Sequence, residues 1–227
     1  MGRDAAFGLL GGFRVALADL AWIGMSHCWE ECDPVGTIRG LRMATSLNPE
    51  SIYFCLNAAR IIAYDLAAWR IQASEAVGYV PEAERQRIAR EQGLEAARFL
   101  KEAHARFPGR ADPLIELGQV RLRCLQDQRG AAQAFAIAAQ CPDAPDYAVR
   151  IGAELLRREG RLAEARALLE KRLGSLTLSH LPSNEGRHSS EKTVLEMRLR
   201  SLKMDMEAAG YVYFTLGSMK EAEKDVE

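Results

Sequence analysis

The residues best suited to chemistry in this sequence are a histidine and two cysteines near its start. His27, Cys28 and Cys32 form the pattern H-C-x-x-x-C. On one helix, Cys28 and Cys32 would lie a turn apart on the same face, where two thiolates can share a metal ion. However, the paired C-x-x-C knuckles of zinc sites are absent, and a free cysteine packs well as a small apolar side chain. We therefore predict no metal site and no cofactor.

Catalysis by a thiol would need one of the five cysteines beside an activating histidine. His27 directly precedes Cys28, but neighbouring residues on a helix point in different directions. The glycine-rich stretch GLLGG at 8–12 is not followed by the lysine and hydroxyl of a phosphate-binding loop. Without an assembled acid, base and nucleophile, we predict that the protein is not an enzyme, has no catalytic residues and takes no small-molecule substrate.

A set of basic residues in the second half of the chain suits recognition of an acidic partner. Together with one tyrosine, its members are Arg123, Tyr147, Arg150, Arg157 and Arg158. Spacings of seven and eight residues place Arg157 and Arg158 near the helical face of Arg150. Guanidinium groups there would bind a carboxylate-bearing peptide through charge-assisted hydrogen bonds. The alternative is a solvated helix face whose charges are balanced by Glu154 and Glu159.

A second candidate surface interleaves polar and aromatic residues, as protein interfaces do. It consists of Asn57, Arg60, Tyr64, Asp65, Trp69 and Arg70. The first three follow i, i+3, i+7 spacing and therefore share one helical face. The alternative is that the two aromatic side chains belong to the core, while Arg60 and Asp65 pair with each other or with Asp19.

The composition is that of an ordinary soluble globular chain. Of its 227 residues, 48% are hydrophobic and 27% are charged, and the formal net charge is -1. This balance argues against a basic nucleic-acid binder, so we predict no nucleic-acid partner. Five dispersed cysteines favour a reducing compartment over a disulfide framework. No stretch reaches the roughly 18 apolar residues of a membrane span, which favours a cytoplasmic or peripheral-membrane location.

Helical periodicity dominates the chain, and prolines stop successive helices at Pro49, Pro108 and Pro142. We predict four helical pairs: 14–32 with 34–47, 51–73 with 82–106, 112–127 with 130–140, and 145–158 with 162–173. Pairs of this kind bury their apolar faces by stacking, which gives an all-α solenoid.

The predicted solenoid is followed by a linker and a last helix. Residues 174–190 mix serine, glycine, proline and histidine, which is typical of a loop, and Gly174 is predicted to end the preceding helix. The predicted domains are thus a helical repeat domain at 1–173, a linker at 174–190 and a C-terminal helix at 191–227 that caps the solenoid.

The chain resembles the tetratricopeptide repeat (TPR) family over roughly residues 8–173. The best match to the second helix of such a repeat is formed by Gly160, Leu162, Ala165, Leu168, Leu169 and Leu173. The N-terminal third, with LLGGFRVALADLAWI and YFCLNAARIIAYDLAAWRI, is similar to a group of bacterial TPR proteins of unassigned function. Members of that group commonly carry an N-terminal membrane anchor.

The resemblance implies a TPR-like solenoid whose first helices line a groove. From it we predict a non-catalytic protein–protein interaction scaffold that binds a partner peptide or helix in that groove. The alternative function is that of a structural subunit in a larger, membrane-associated bacterial assembly. In that case the contact surface would be the N-terminal segment Phe7–Trp22.

Overall fold

The computed structural model describes residues 2–178 and 185–208, and within them the side chains of 12–176 and 190–207. The helices are α1 (Gly2–Glu30), α2 (Pro34–Leu47), α3 (Ile52–Arg60), a π-helical segment (Ile61–Asp65), α4 (Leu66–Glu75), α5 (Glu82–Arg106), α6 (Asp112–Arg123), α7 (Gln128–Ala138), α8 (Asp146–Arg158), α9 (Leu162–Leu178) and α10 (Glu185–Ala208). No strand occurs in these ranges, so the all-α prediction is confirmed for them.

Short polar side chains begin several of these helices at the predicted places. The Asp33 carboxylate accepts hydrogen bonds from the backbone N–H groups of Val35 and Gly36, both at 3.0 Å. The Ser51 hydroxyl accepts one from the Phe54 N–H at 3.3 Å. Such caps satisfy N–H groups that have no partner within the helix. They let α2 and α3 start directly after short turns, which brings consecutive helices together.

The helices of the first three predicted pairs pack on each other. Helix α1 packs on α2, α3 packs on α5, and α6 packs on α7, while α5 also contacts α6. Gly118 permits the close approach of α6 to α7, because a Cβ there would lie 2.5 Å from a ring carbon of Phe135. The buried residues Leu41, Leu66 and Leu100 lie in this part of the chain. Burial of apolar side chains is therefore shared among neighbouring helices.

The chain forms two compact units, Met1–Gly152 and Ala153–Glu227. The division falls inside α8, whereas the predicted domain boundary follows residue 173. Within the second unit, α9 packs on α10, and Leu169, Leu195 and Leu202 are buried. Because α10 supplies apolar side chains, it belongs to the same compact unit as α9.

The predicted linker at 174–190 overlaps both helices of this second unit. Helix α9 continues through Gly174 to Leu178, and α10 begins at Glu185 rather than at 191. A glycine inside a helix costs only about 1 kcal/mol and ends the helix only where it adopts the left-handed conformation. Among the described glycines, Gly160 has that conformation, with φ of 73°. Residues 179–184 and 209–227 of the predicted linker and C-terminal helix lie outside the described residues.

Candidate interaction surfaces

A π-helical turn positions the aromatic and acidic residues of the second candidate surface. Between α3 and α4, the segment Ile61–Asp65 takes one more residue per hydrogen-bonded turn than an α-helix. The N–H of Leu66 donates to the carbonyl of Ile61, which closes this wider turn. Turns of this kind inside α-helices rotate the following side chains and are frequent at functional sites. Tyr64 and Asp65 both lie within the turn, so their directions are set by it.

An ion pair links this helix to α6. The Arg60 guanidinium donates to the Glu116 carboxylate, a contact that joins α3 to α6. Glu116 is only 7% exposed, whereas the Arg60 side chain is half exposed. The hydrogen bond to Glu116 is the main cause that raises the pKa of Arg60. Because a buried carboxylate needs a charged or hydrogen-bonding partner, this pair fixes the two helices relative to each other.

The phenol of Tyr64 lies close to the same pair. Its hydroxyl is buried and, among the described residues, has no hydrogen-bond partner. Burial raises the pKa of Tyr64. The neighbouring charges of Glu116 and Arg123 act on it in opposite directions, the first raising and the second lowering the pKa. Charges of both α3 and α6 therefore act on Tyr64.

Two partly accessible groups complete this cluster. Asn57, one turn before Arg60, uses its amide to donate to the carbonyl of Tyr53 at 2.9 Å. Arg123, in the last turn of α6, is exposed. We call the set Asn57, Arg60, Tyr64, Glu116 and Arg123 the α3–α6 surface. It joins members of both predicted surfaces, since Arg123 was grouped with the basic residues of the second half of the chain.

Trp69, the other aromatic residue of the second candidate surface, contacts α1. Trp69 packs against Trp29 of α1, with ring centroids 6.5 Å apart. The indole N–H of Trp29 donates to the Asp65 carboxylate at 2.8 Å. The alternative pairing of Arg60 and Asp65 with each other or with Asp19 is therefore wrong. Asp65 is held by Trp29, and Arg60 is held by Glu116, because the folded chain brings both distant partners closer.

From the sequence, neither Glu116 as the partner of Arg60 nor Trp29 as the partner of Asp65 was predicted. The available signal for Glu116 is its position inside the apolar run PLIELGQV of α6, where a lone charge needs a partner. Trp29 carried no comparable signal, because nothing in its local sequence indicates a partner 36 positions away.

The members of the first candidate surface that lie on α8 fall into two groups. Tyr147, 45% exposed, and the partly buried Arg150 belong to the first unit. Arg157 and Arg158 belong to the second unit, where both donate to the Glu154 carboxylate at 2.9 to 3.1 Å. Hydrogen bonds, first from Arg157 and then from Arg158, lower the pKa of Glu154 to about 2.

A second carboxylate also binds one of these cations. Arg157 donates to Asp205 of α10 at 2.9 Å. The guanidinium groups of Arg157 and Arg158 are thus engaged within their own unit, as the alternative of a face balanced by Glu154 predicts. Glu159, the other residue proposed to balance these charges, is exposed.

The cysteine pattern does not lie on one helix. Helix α1 ends at Glu30, and Cys32 is in the following turn with φ of 53°. The assumption that Cys28 and Cys32 share a helical face is therefore wrong. Among the described side chains, no group of three or more histidine, cysteine and acidic residues is arranged to hold a metal ion. Burial raises the pKa of the Cys55 and Cys124 thiols, which disfavours their thiolate forms.

Helix α1 carries exposed apolar side chains on one face. Phe13, Leu20 and Ile23 are each 64% exposed, and their spacings of seven and three residues place them together on that face. Trp22, in contrast, packs on Phe54 of α3 with ring centroids 4.9 Å apart. Within the described residues, no helix has the length and apolar character needed to cross a membrane. Trp22 of the predicted contact segment Phe7–Trp22 thus packs within the protein, and the side chains of its residues 7–11 lie outside the described ones.

Comparison of the chain with models of protein families and with curated proteins finds no match.

Proposed function

We propose that this protein is a non-catalytic interaction scaffold that binds an acidic peptide or helix along the first helices of a TPR-like solenoid. The packing of α1 on α2, α3 on α5 and α6 on α7 supports this proposal. In such an arrangement, α3 and α6 are first helices of consecutive pairs. Repeat proteins commonly use neighbouring helices of this kind as extended binding surfaces.

The α3–α6 surface is the single observation that carries the proposal. It combines side chains from two first helices that are distant in sequence. After its contact with Glu116, the half-exposed Arg60 retains N–H groups for a second acceptor. Arg123 is exposed, and among the described residues no carboxylate pairs with it. Two guanidinium groups that act electrostatically on the same tyrosine suit a peptide that carries carboxylates.

Selection from a random peptide display library tests this function directly. We expect the purified protein to enrich peptides with acidic residues, and we expect Arg123→Glu to weaken the best binder at least about 10-fold. Asn57→Ala probes the α3 side of the same surface. Arg39→Glu, an exposed arginine on α2, is the matched control. Equal loss in the control, or enrichment without acidic residues, would contradict the proposal.

The exposed face of α1 favours a second function, that of a structural subunit in a larger, membrane-associated assembly. Phe13, Leu20 and Ile23 expose apolar area that solvent disfavours and that a neighbouring subunit would cover. A protein with Leu20→Glu and Ile23→Glu would then lose sedimentation with its native complex. Val77→Glu is the control, because Val77 is 92% exposed outside this face. Unchanged sedimentation of the double variant would exclude α1 as the contact surface.

A further inference from the structure

We propose that a cleft between α5 and the end of α6 is a binding site for a small dianionic oxyanion, of which a phosphate group is the simplest example. The cleft has a volume of about 250 Å³. Its polar lining consists of Gln86, Arg87, Arg90, Arg123, Cys124 and Gln126. It lies wholly within the first unit and goes beyond the peptide-binding function proposed above.

The charge of the lining points to an anion. Three guanidinium groups line the cleft, and no carboxylate does. Arg87 is compensated, because it pairs with Glu84 and Glu91 outside the lining. Within the described part of the chain, no carboxylate pairs with Arg90 or Arg123. Two uncompensated positive charges at one cleft match the double negative charge of a phosphate monoester or inorganic phosphate.

The backbone fixes the position of this lining. Gly93 of α5 lies against the end of α6, because a Cβ there would stand 2.5 Å from the Cβ of Cys124. The Arg90 guanidinium donates to the carbonyl of Leu125 at 3.4 Å. The backbone of Gln126 is left-handed, with φ of 53°, which turns the chain after α6. The cleft is therefore formed before any ligand enters, which reduces the entropic cost of binding.

The size of the cleft separates it from sites for larger ligands. A volume of about 250 Å³ is below the roughly 300–1,000 Å³ of typical drug-sized ligand pockets. It accommodates a tetrahedral oxyanion with one small substituent. Since guanidinium groups bind such oxyanions in a bidentate manner, Arg90 and Arg123 would be the main ligands of the phosphate oxygens.

Thermal unfolding of the full chain with inorganic phosphate is the first test. At matched ionic strength, phosphate should raise the Tm above the value in sodium chloride, with half-saturation on the order of 1 mM. Arg90→Gln should weaken the response about 10-fold, whereas Arg39→Gln should leave it unchanged. Equal Tm values in phosphate and chloride, or the same response in both variants, would overturn the proposal, because phosphate also stabilises folded proteins without binding to a site.

Two further arms identify the source of the phosphate group and distinguish the cleft from the α3–α6 surface, with which it shares Arg123. Tighter binding of phosphoserine than of inorganic phosphate would support a phosphorylated ligand, and equal binding would support the free ion. Asn57→Ala should retain the phosphate response and weaken the binding of acidic peptides. Arg90→Gln should weaken the phosphate response and retain the binding of acidic peptides. Loss of phosphate binding in Asn57→Ala but not in Arg90→Gln would contradict the assignment to this cleft.

Discussion

The arginines predicted to bind a partner differ in their contacts between the two units of this protein. In the first unit, Arg60 is half exposed beside a buried glutamate, and Arg123 is exposed without a carboxylate partner among the described residues. In the second unit, Glu154 and Asp205 engage Arg157 and Arg158. Arg157 and Arg158 have Glu154 within one helical turn and stabilise their own unit. Arg123 is exposed and has no carboxylate partner among the described residues, which leaves it available to a ligand.

The largest effect separating the two units should come from the buried ion pair. Arg60→Ala leaves the carboxylate of Glu116, 7% exposed, without its partner. We expect a loss of about 2 kcal/mol in the free energy of unfolding, which is less than for a fully buried pair because water reaches Arg60. Urea unfolding measures this loss. A double variant with Glu116→Ala should recover part of it, and an Arg60→Ala protein as stable as wild type would refute the role of the pair.

Removing the buried phenol hydroxyl of Tyr64, in the first unit, should instead increase the free energy of unfolding. The Tyr64 hydroxyl has no partner among the described residues, so Tyr64→Phe removes the cost of its burial. We expect a gain of about 1 kcal/mol in the free energy of unfolding. Urea unfolding of the single variant is sufficient. Destabilisation by a similar amount would mean that the hydroxyl is hydrogen bonded in solution.

Low pH should destabilise the second unit because it protonates Glu154. Its pKa is lowered from 4.5 to about 2 by hydrogen bonds from Arg157 and Arg158. The stability gained is therefore complete above about pH 4.5 and is lost as the pH falls towards 2. Since the side chains of Arg157 and Arg158 are 40% and 63% exposed, the change should be only on the order of 1 kcal/mol. Glu154→Gln should lack this part of the acid dependence, and an identical pH profile in both proteins would contradict the assignment.

The smallest change in the free energy of unfolding should come from removing the Arg158 side chain in the second unit. Arg158 is well exposed and shares Glu154 with Arg157. Arg158→Ala should therefore change the free energy of unfolding by less than about 0.5 kcal/mol. Chemical denaturation of this variant beside Arg60→Ala compares the two units directly. A loss as large as that of Arg60→Ala would erase the distinction between them.

The helices were largely predictable because their signals are local. Hydrophobic periodicity, the prolines after helices and the caps at Asp33 and Ser51 act within a few residues. The prediction that α9 ends at Gly174 was wrong. A glycine ends a helix where its backbone is left-handed, and the backbone of Gly174 is helical. The π-helical turn at Ile61–Asp65 has no sequence signature of its own.

The pairing of charges was less predictable than the helices. Arg60 meets a residue 56 positions away, and Asp65 meets one 36 positions away. Such partners depend on how helices pack, which periodicity does not specify. The set Asn57, Arg60 and Tyr64 was predicted as one face from spacing alone, but the inclusion of Arg123 in the same surface required the contact between α3 and α6.

Charge reversal in each unit, measured against one selected acidic peptide, tests the central claim most directly. Arg123→Glu changes the exposed cation of the α3–α6 surface, and Arg158→Glu changes a cation already engaged by Glu154. The dissociation constant should rise at least about 10-fold in Arg123→Glu and stay within about two-fold in Arg158→Glu. A loss confined to Arg158→Glu would place binding on the second unit and contradict the account.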